Sequence, residues 1–304
     1  MKDDQPSATA RLIARSLLLL SQDPACAALV PPQSAETGHW FLEACGENSD
    51  RFRSLAGEAW FRRLLFWVEQ STVPGLLLHY ALRKRQIEEA VRQSLATGAR
   101  QVVVLGAGFD TLAWRLHREF PNAAFWELDH PATQKVKQAT LTAHGSPGSN
   151  LHFAALNLAS VRLTEAIHSA PRYQSGAATM FVAEGLLMYL EPEQVSDVFR
   201  DAHRASGMGS RFVFTSLEPQ AGGRTGFAGR SRFVNWWLRR RGEPFRWGMR
   251  QSEAAAFLDK HGWRLQKTLT PSVLRRRYLP EEPPLPAIGD LVCLADWMED
   301  TALE

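Results

Sequence analysis

Gln101-Val102-Val103-Val104-Leu105-Gly106-Ala107-Gly108-Phe109-Asp110 is an unbroken apolar run that ends in a glycine turn. A short run without polar alternation, bounded by glycine, predicts a strand buried on both faces of a parallel sheet. Working outward, the same signature recurs at 124–128, 151–156, 179–183 and 211–215, with helical patterns at 111–119, 133–143, 161–169 and 193–205 between them. Strand–helix alternation of this kind implies right-handed crossovers and helices on both sheet faces. Further strands are expected at 263–269 and 290–295, after a helix at 252–261. The fold class expected is therefore α/β: a doubly wound, mostly parallel, Rossmann-like sheet.

Upstream of the glycine turn the chain reads as helical. Apolar residues recur at helical spacing over 8–20, around Trp60, Leu64 and Trp67, and over 76–95, with Pro24, Pro31 and Pro32 breaking the chain between. Downstream, 219–250 breaks the rhythm with glycines, arginines and Trp236 and Trp237. The organisation expected is a helical N-terminal cap (1–98), an α/β core (99–218), a lid-like insertion (219–250) and C-terminal strands completing the sheet (251–304).

Bulk properties narrow the function classes. Of 304 residues, 45% are hydrophobic and 22% charged, which fits a soluble globular chain. No apolar run approaches the length of about 18 residues that would predict a membrane span, and no secretory signal is read at the N-terminus. Three cysteines, Cys26, Cys45 and Cys293, show no metal-ligand spacing and suit a reducing, cytoplasmic compartment. The net charge of +3 is too small for a nucleic-acid footprint, and the arginine clusters at 239–241 and 275–277 read as solvated faces. No metal site, nucleic-acid partner or membrane partner is expected; the oligomeric state is not readable.

Chemistry concentrates at the strand ends. Gly106 and Gly108, flanking Ala107, let the backbone turn sharply and approach a ligand closely. Asp129 closes the second strand, where an acid accepts hydrogen bonds from both hydroxyls of a ribose. Two adenosyl cofactors share that logic. A dinucleotide site wants a third glycine where this chain has Thr111, so that a pyrophosphate can reach the helix start. S-adenosylmethionine (SAM) has no phosphate and does not need it. The residues favour SAM and leave an NAD(P)-dependent oxidoreductase as the alternative.

The stretch from Gln101 to Leu116, the block Glu127-Leu128-Asp129-His130-Pro131 with Lys135 or Lys137 beyond it, and the block Ala183-Glu184-Gly185-Leu186-Leu187-Met188-Tyr189-Leu190 together resemble the leucine carboxyl methyltransferase family. That family comprises class I SAM-dependent O-methyltransferases, including bacterial relatives that act on polyketides and other small molecules. The resemblance covers about residues 76–216. It implies a seven-stranded sheet, SAM as methyl donor and S-adenosylhomocysteine as product. By position, Gly106, Ala107 and Gly108 would pass beneath the methionine part of SAM, Asp129 would hold the ribose, and Glu184 would accept from the amino group. Arg83, in Leu82-Arg83-Lys84-Arg85, resembles an arginine–threonine motif whose arginine pairs with the SAM carboxylate. Asn157-Leu158 stands where the family usually places an aspartate near the adenine. Arg115 is read as a structural ion-pair partner.

The reaction so implied is O-methylation of a carboxylate, on a small molecule or a peptide or protein C-terminus; a polyketide-type hydroxyl is the alternative. A carboxylate is already ionised at neutral pH and needs no general base. His79, His130 and His203 are read as structural or surface histidines, and no residue is assigned as a catalytic base. Tyr189, Arg230, Arg232 and Trp236 are the candidates to line the acceptor pocket.

Overall fold

The computed structural model describes residues 6–168, 170, 172–219, 243–281 and 288–299. Among the described residues, five α-helices precede the first strand: α1 (Ala8–Ser21), α2 (Ser34–Ala44), α3 (Ser49–Gly57), α4 (Ala59–Thr72) and α5 (Leu76–Ala96). The alternating core follows as β1 (Gln101–Leu105), α6 (Leu112–Glu119), β2 (Ala124–Asp129), α7 (Pro131–His144), β3 (Leu151–Ala155), α8 (Leu163–His168), β4 (Thr179–Ala183), α9 (Pro192–Ala205) and β5 (Arg211–Ser216). The helix Ala254–Asp259, β6 (Trp263–Leu269), the helix Pro271–Tyr278 and β7 (Leu291–Trp297) complete the chain.

The seven strands form one sheet in the order β3-β2-β1-β4-β5-β7-β6. β1 to β5 pair in parallel, whereas β7 runs antiparallel to both β5 and β6. The continuous apolar runs are explained by the two faces. Val102 and Val104 point into one core cluster with Phe125, Val182, Leu20, Ala81 and Leu116. Val103 and Leu105 point into the other with Trp126, Phe181, Phe199 and Phe214. The middle of each central strand is therefore mostly apolar although its side chains alternate between the two faces.

Helix starts carry their own chemistry. The Ser7 hydroxyl accepts from the Ala10 N–H (3.2 Å) at the head of α1. Pro192 occupies the first turn of α9, and the Gln194 side chain accepts from the Glu191 N–H (2.8 Å). The N-terminal helices are not a detached cap. Residues of α1, α2 and α5 share one core with β1, β4 and β5. Among the described residues, α4 alone leaves an apolar stripe open: Trp60 (59%), Leu64 (47%), Trp67 (67%) and Val68 (44%) are all exposed. Among the described residues, no helix is long and apolar enough to cross a membrane.

Candidate functional site

Strand order reverses between β1 and β4, the place where open α/β sheets leave a crevice at the carboxyl ends of their strands. A cavity of about 450 Å³ lies there. Its floor is the turn after β1, its sides are the ends of β2, β3 and β4, and α1 with residues 243–246 covers it. Gly106, Ala107, Gly108, Asp129, Asn157, Leu158, Glu184, Arg83 and Tyr189, expected from the sequence to serve one site, all line this cavity. Arg230, Arg232 and Trp236, the other acceptor-pocket candidates, lie outside the described residues, as does most of the 219–250 insertion.

The glycine turn is built as its residues require. Gly106 has φ +63° and Gly108 φ +49°, left-handed values that side chains disfavour. A Cβ on Gly106 would meet Leu186 Cδ1 at 2.8 Å, so the turn is closed to larger residues on one side and open to the cavity on the other. The Gly106 N–H donates to the Leu128 carbonyl (2.8 Å), and the Gly108 N–H donates to Asp129 Oδ2. Asp129 Oδ1 accepts from the His130 N–H (2.5 Å). The acid at the end of β2 thus braces the turn after β1, with a lone pair still available on each oxygen for a ribose hydroxyl. Burial pushes its carboxyl upward in pKa, and the two backbone N–H groups oppose that.

After β3, Asn157 Oδ1 accepts from the Ala159 N–H (3.0 Å), so an adenine amino group would use the remaining lone pair of that oxygen. Leu158 offers an apolar side wall.

The other end of the cavity is a buried charge network. The Arg83 Nε and Nη2 donate to Glu184 Oε1 (2.9 and 2.7 Å), while Nη1 donates to both oxygens of Asp290 (2.9 and 2.8 Å). The guanidinium also lies over the Tyr80 ring, 5.1 Å from its centroid. Arg83, expected to pair with the SAM carboxylate, directs four of its five N–H groups to these two acids and lines the cavity. Lys84 Nζ lies 3.2 Å from Glu184 Oε2 and 3.2 Å from Asp110 Oδ2. His79 Nε2 meets Asp290 Oδ1 at 2.6 Å. Burial opposes ionisation of Asp110 and Asp290. It is outweighed by Lys84 near the first and Arg83 with His79 near the second, which hold both carboxyls well below the usual range.

The remaining wall of the cavity is formed by Tyr189, α1 and residues 243, 244 and 246. The Tyr189 hydroxyl lies 3.3 Å from Thr9 Oγ1. Glu243 accepts from the N–H groups of Ala8 (3.0 Å) and Thr9 (3.2 Å) and from the Thr9 hydroxyl (2.6 Å). Burial, with Glu243 nearby, raises the Tyr189 phenol well above its ordinary value. Arg246 pairs with Glu191 at the rim. His130 also lines the cavity and caps α7 by accepting from the Ala132 N–H (3.4 Å). Arg115, read as structural, pairs with Glu88 (2.6 Å) and donates to Thr111 Oγ1 (3.0 Å).

Lys84, Asp110, Asp290, Thr9, Glu243 and Arg246 were not singled out from the sequence. Lys84 and Asp110 lie inside the quoted motifs, where the charge beside each marked residue was the available signal. The others reach the site only through long-range folding. Among the described residues the metal-ligand type of cluster found is His39, Glu43 and Asp50, and none of the three lines the cavity.

Comparison with known proteins agrees with this geometry. The profile described as leucine carboxyl methyltransferase matches residues 8–203. A protein of Saccharopolyspora erythraea, provisionally named an S-adenosyl-L-methionine-dependent methyltransferase, is 33% identical over 141 residues, covering 46% of this chain and 48% of its own length. One of Mycobacterium avium strain 104, under the same provisional name, is 31% identical over 240 residues, 70% of each chain. The first of these alignments spans about half the length of the relative it matches. In three dimensions the chain is similar to a provisionally named methyltransferase from Thermobifida fusca YX. The TM-score is 0.54 at 18% identity, covering 86% of this chain and 94% of that one, which supports the fold.

Proposed function

The chain belongs to the leucine carboxyl methyltransferase family, and from that premise we propose that it is a SAM-dependent O-methyltransferase. One observation carries the reading: the turn at Gly106–Gly108, the acid Asp129 and the acid Glu184 converge on a single cavity at the sheet's switch point. These residues fit an adenosyl amino acid. The glycine turn leaves room for close backbone approach, Asp129 keeps acceptor capacity for a ribose, and Glu184 offers a carboxylate to an ammonium. When bound, SAM supplies an electrophilic methyl on a sulfonium. The protein's part is to align an acceptor oxygen with that methyl and to keep water away.

The acceptor is read as a carboxylate of a small molecule or peptide end. Such a group needs no base, and Glu243, the acid on the acceptor side, is occupied in capping α1. A hydroxyl acceptor is the second reading, favoured by the negative charge that the buried Glu243 places beside Tyr189.

Calorimetric titration of the purified chain with SAM and S-adenosylhomocysteine tests the donor half; absence of heat with both at millimolar concentration overturns it. Methyl transfer from labelled SAM to panels of carboxylic acids and phenols tests the acceptor half. Rates independent of pH from 6 to 9 mark a carboxylate, and rates rising with pH mark a hydroxyl.

A further inference from the structure

We propose that His39, Glu43 and Asp50 form a binding site for a divalent transition-metal ion of the Zn²⁺ class, which ties α2 to α3. None of the three lines the cavity, and the site is independent of the SAM reading.

The backbone presents the three side chains to one point. His39 and Glu43 stand four residues apart in α2 and so share a helix face. The chain then turns back. The Gly46 N–H, with Gly46 at φ +77°, donates to the Glu43 carbonyl (2.8 Å), and the Glu47 N–H donates to the Leu42 carbonyl (3.0 Å). Asn48 caps α3 by accepting from the Arg51 N–H (3.0 Å), and Asp50 stands in the first turn of that helix. One ligand atom from each of the three residues lies within 4.8 Å of the other two. His39 Nε2 is 3.6 Å from Glu43 Oε2 and 3.5 Å from Asp50 Oδ1. Tetrahedral metal bonds of about 2.0–2.2 Å set neighbouring ligand atoms about 3.3–3.6 Å apart, the spacing found around this imidazole. The Glu43 and Asp50 side chains are 45% and 79% exposed, so small rotations suffice to bring their oxygens to that spacing from each other.

The imidazole is the second, independent sign. His39 is only 8% exposed, yet its Nδ1 is buried without a hydrogen-bond partner. Its Nε2 faces two carboxylates at distances too long for good hydrogen bonds. A buried polar ring in that state is accounted for by a cation seated between Nε2 and the two acids. Among the described residues neither Glu43 nor Asp50 pairs with an arginine or lysine; Arg11 and Arg15 pair instead with Glu47 (3.5 and 2.6 Å). Two carboxylates and a neutral imidazole balance the charge of a divalent ion. The nitrogen ligand selects Zn²⁺ over Mg²⁺ and Ca²⁺, which take oxygen ligands. The third ligand comes from a separate helix, so no spacing in the sequence announces the site. A protonated His39 paired with the same two acids is the rival state, and metal titration separates the two.

The test is calorimetric titration of the full, untagged, EDTA-stripped chain with Zn²⁺, with the melting temperature as a second readout. Wild type should take up one equivalent more than the double variant Glu43→Gln/Asp50→Asn, with micromolar affinity. Zn²⁺ should raise the melting temperature of wild type and not of the double variant. Glu43→Gln and Asp50→Asn alone should each weaken that equivalent by at least about tenfold. His39→Gln should lose it. If His39→Gln does not fold, the double variant, which alters only exposed side chains, carries the measurement. Mg²⁺ at the same concentration should give neither uptake nor a thermal shift. No Zn²⁺ uptake by wild type at submillimolar concentration overturns the proposal and leaves His39 as an ion-pair partner. Uptake unchanged in the double variant belongs to other groups, the cysteines included, and overturns it too. An equal response to Mg²⁺ overturns a site selected by the imidazole.

Discussion

Gly106 shows how one residue couples stability to the site. Its φ of +63° places it in the left-handed region, and an added methyl would lie 2.8 Å from Leu186 Cδ1 and 3.0 Å from Leu186 Cβ. The Cδ1 end can rotate, but the Cβ is fixed to the backbone after Glu184. Gly106→Ala is therefore expected to cost about 1–3 kcal/mol, combining backbone strain with overpacking. It should also weaken S-adenosylhomocysteine binding, because turn and ligand share the same space. An unchanged urea midpoint would show that the turn relaxes freely. Gly108 is a useful contrast, since a Cβ there would lie 3.4 Å from Ala10 Cβ and 3.9 Å from the Gly106 carbonyl, with no contact below 3.4 Å. The sequence marks both glycines equally, and only their neighbours in space separate them.

Between elements, the buried pair Glu127–Lys137 ties α7 to β2, with the two charged groups 2.6 Å apart and essentially inaccessible. Burial pushes the Glu127 carboxyl up to about 7, with Lys137 pulling it back. Lys137→Met removes that pull, so the folded-state value rises further. A carboxyl raised above its unfolded value holds its proton more tightly in the folded state, so folding loses stability as pH rises toward the folded value. Lys137→Met should thus be more destabilised relative to wild type at pH 9 than at pH 6, by denaturant titration at each pH. An equal loss at both would mean that Glu127 does not titrate in this range. The reading of elements from sequence follows the same division between local and distant causes. All seven strands were legible: β1, β4 and β5 because burial on both faces leaves a nearly continuous apolar run, and the outer ones because short apolar stretches follow helical patterns. The helices α2, α3 and Pro271–Tyr278 were not assigned. In α2 the cause is visible at Gly38, which weakens the local helical pattern yet lets the helix approach α1 closely, its Cβ position lying 3.6 Å from Ala14 Cβ. In α4 the periodicity correctly gave a helix but not which face is covered, and Trp60 and Trp67 are exposed. Gly106, Gly108, Asp129, Asn157 and Glu184 were legible because each ends or follows a strand within a few positions, whereas Arg83 lies inside α5 and was marked by its motif alone. The wall that holds Thr9 and Glu243 was not legible, because these two meet only when the two ends of the chain come together.

At the scale of the whole molecule, two contacts draw distant parts of the chain around the cavity, and they fail under different conditions. Asp290, just before the last strand, holds Arg83 of α5 and through it Glu184 after β4. Its carboxyl and that of Asp110 are depressed below 3.8, so the unfolded chain binds more protons than the folded one as pH falls below that value. Their stabilisation is present above pH 3.8 and is lost on acidification through the lower folded values. Asp290→Asn should therefore be less stable at neutral pH but show a shallower loss of denaturant midpoint between pH 4 and pH 3. An unaltered slope would remove Asp290 from the acid response. Glu243 acts at the opposite wall. It caps the first turn of α1 through two backbone N–H groups and the Thr9 hydroxyl, and its charge favours the positive end of the helix. Glu243→Ala removes both acceptor oxygens, and with them three hydrogen bonds, from a buried helix start, an expected cost of about 1–3 kcal/mol. Because Ser7, Thr9 and Ala10 line the cavity, the same substitution should weaken S-adenosylhomocysteine binding, whereas Glu243→Gln, which keeps one acceptor oxygen, should fall between. If Glu243→Ala lowers the melting temperature yet leaves the dissociation constant unchanged, α1 is a structural cover and not a wall of the donor pocket.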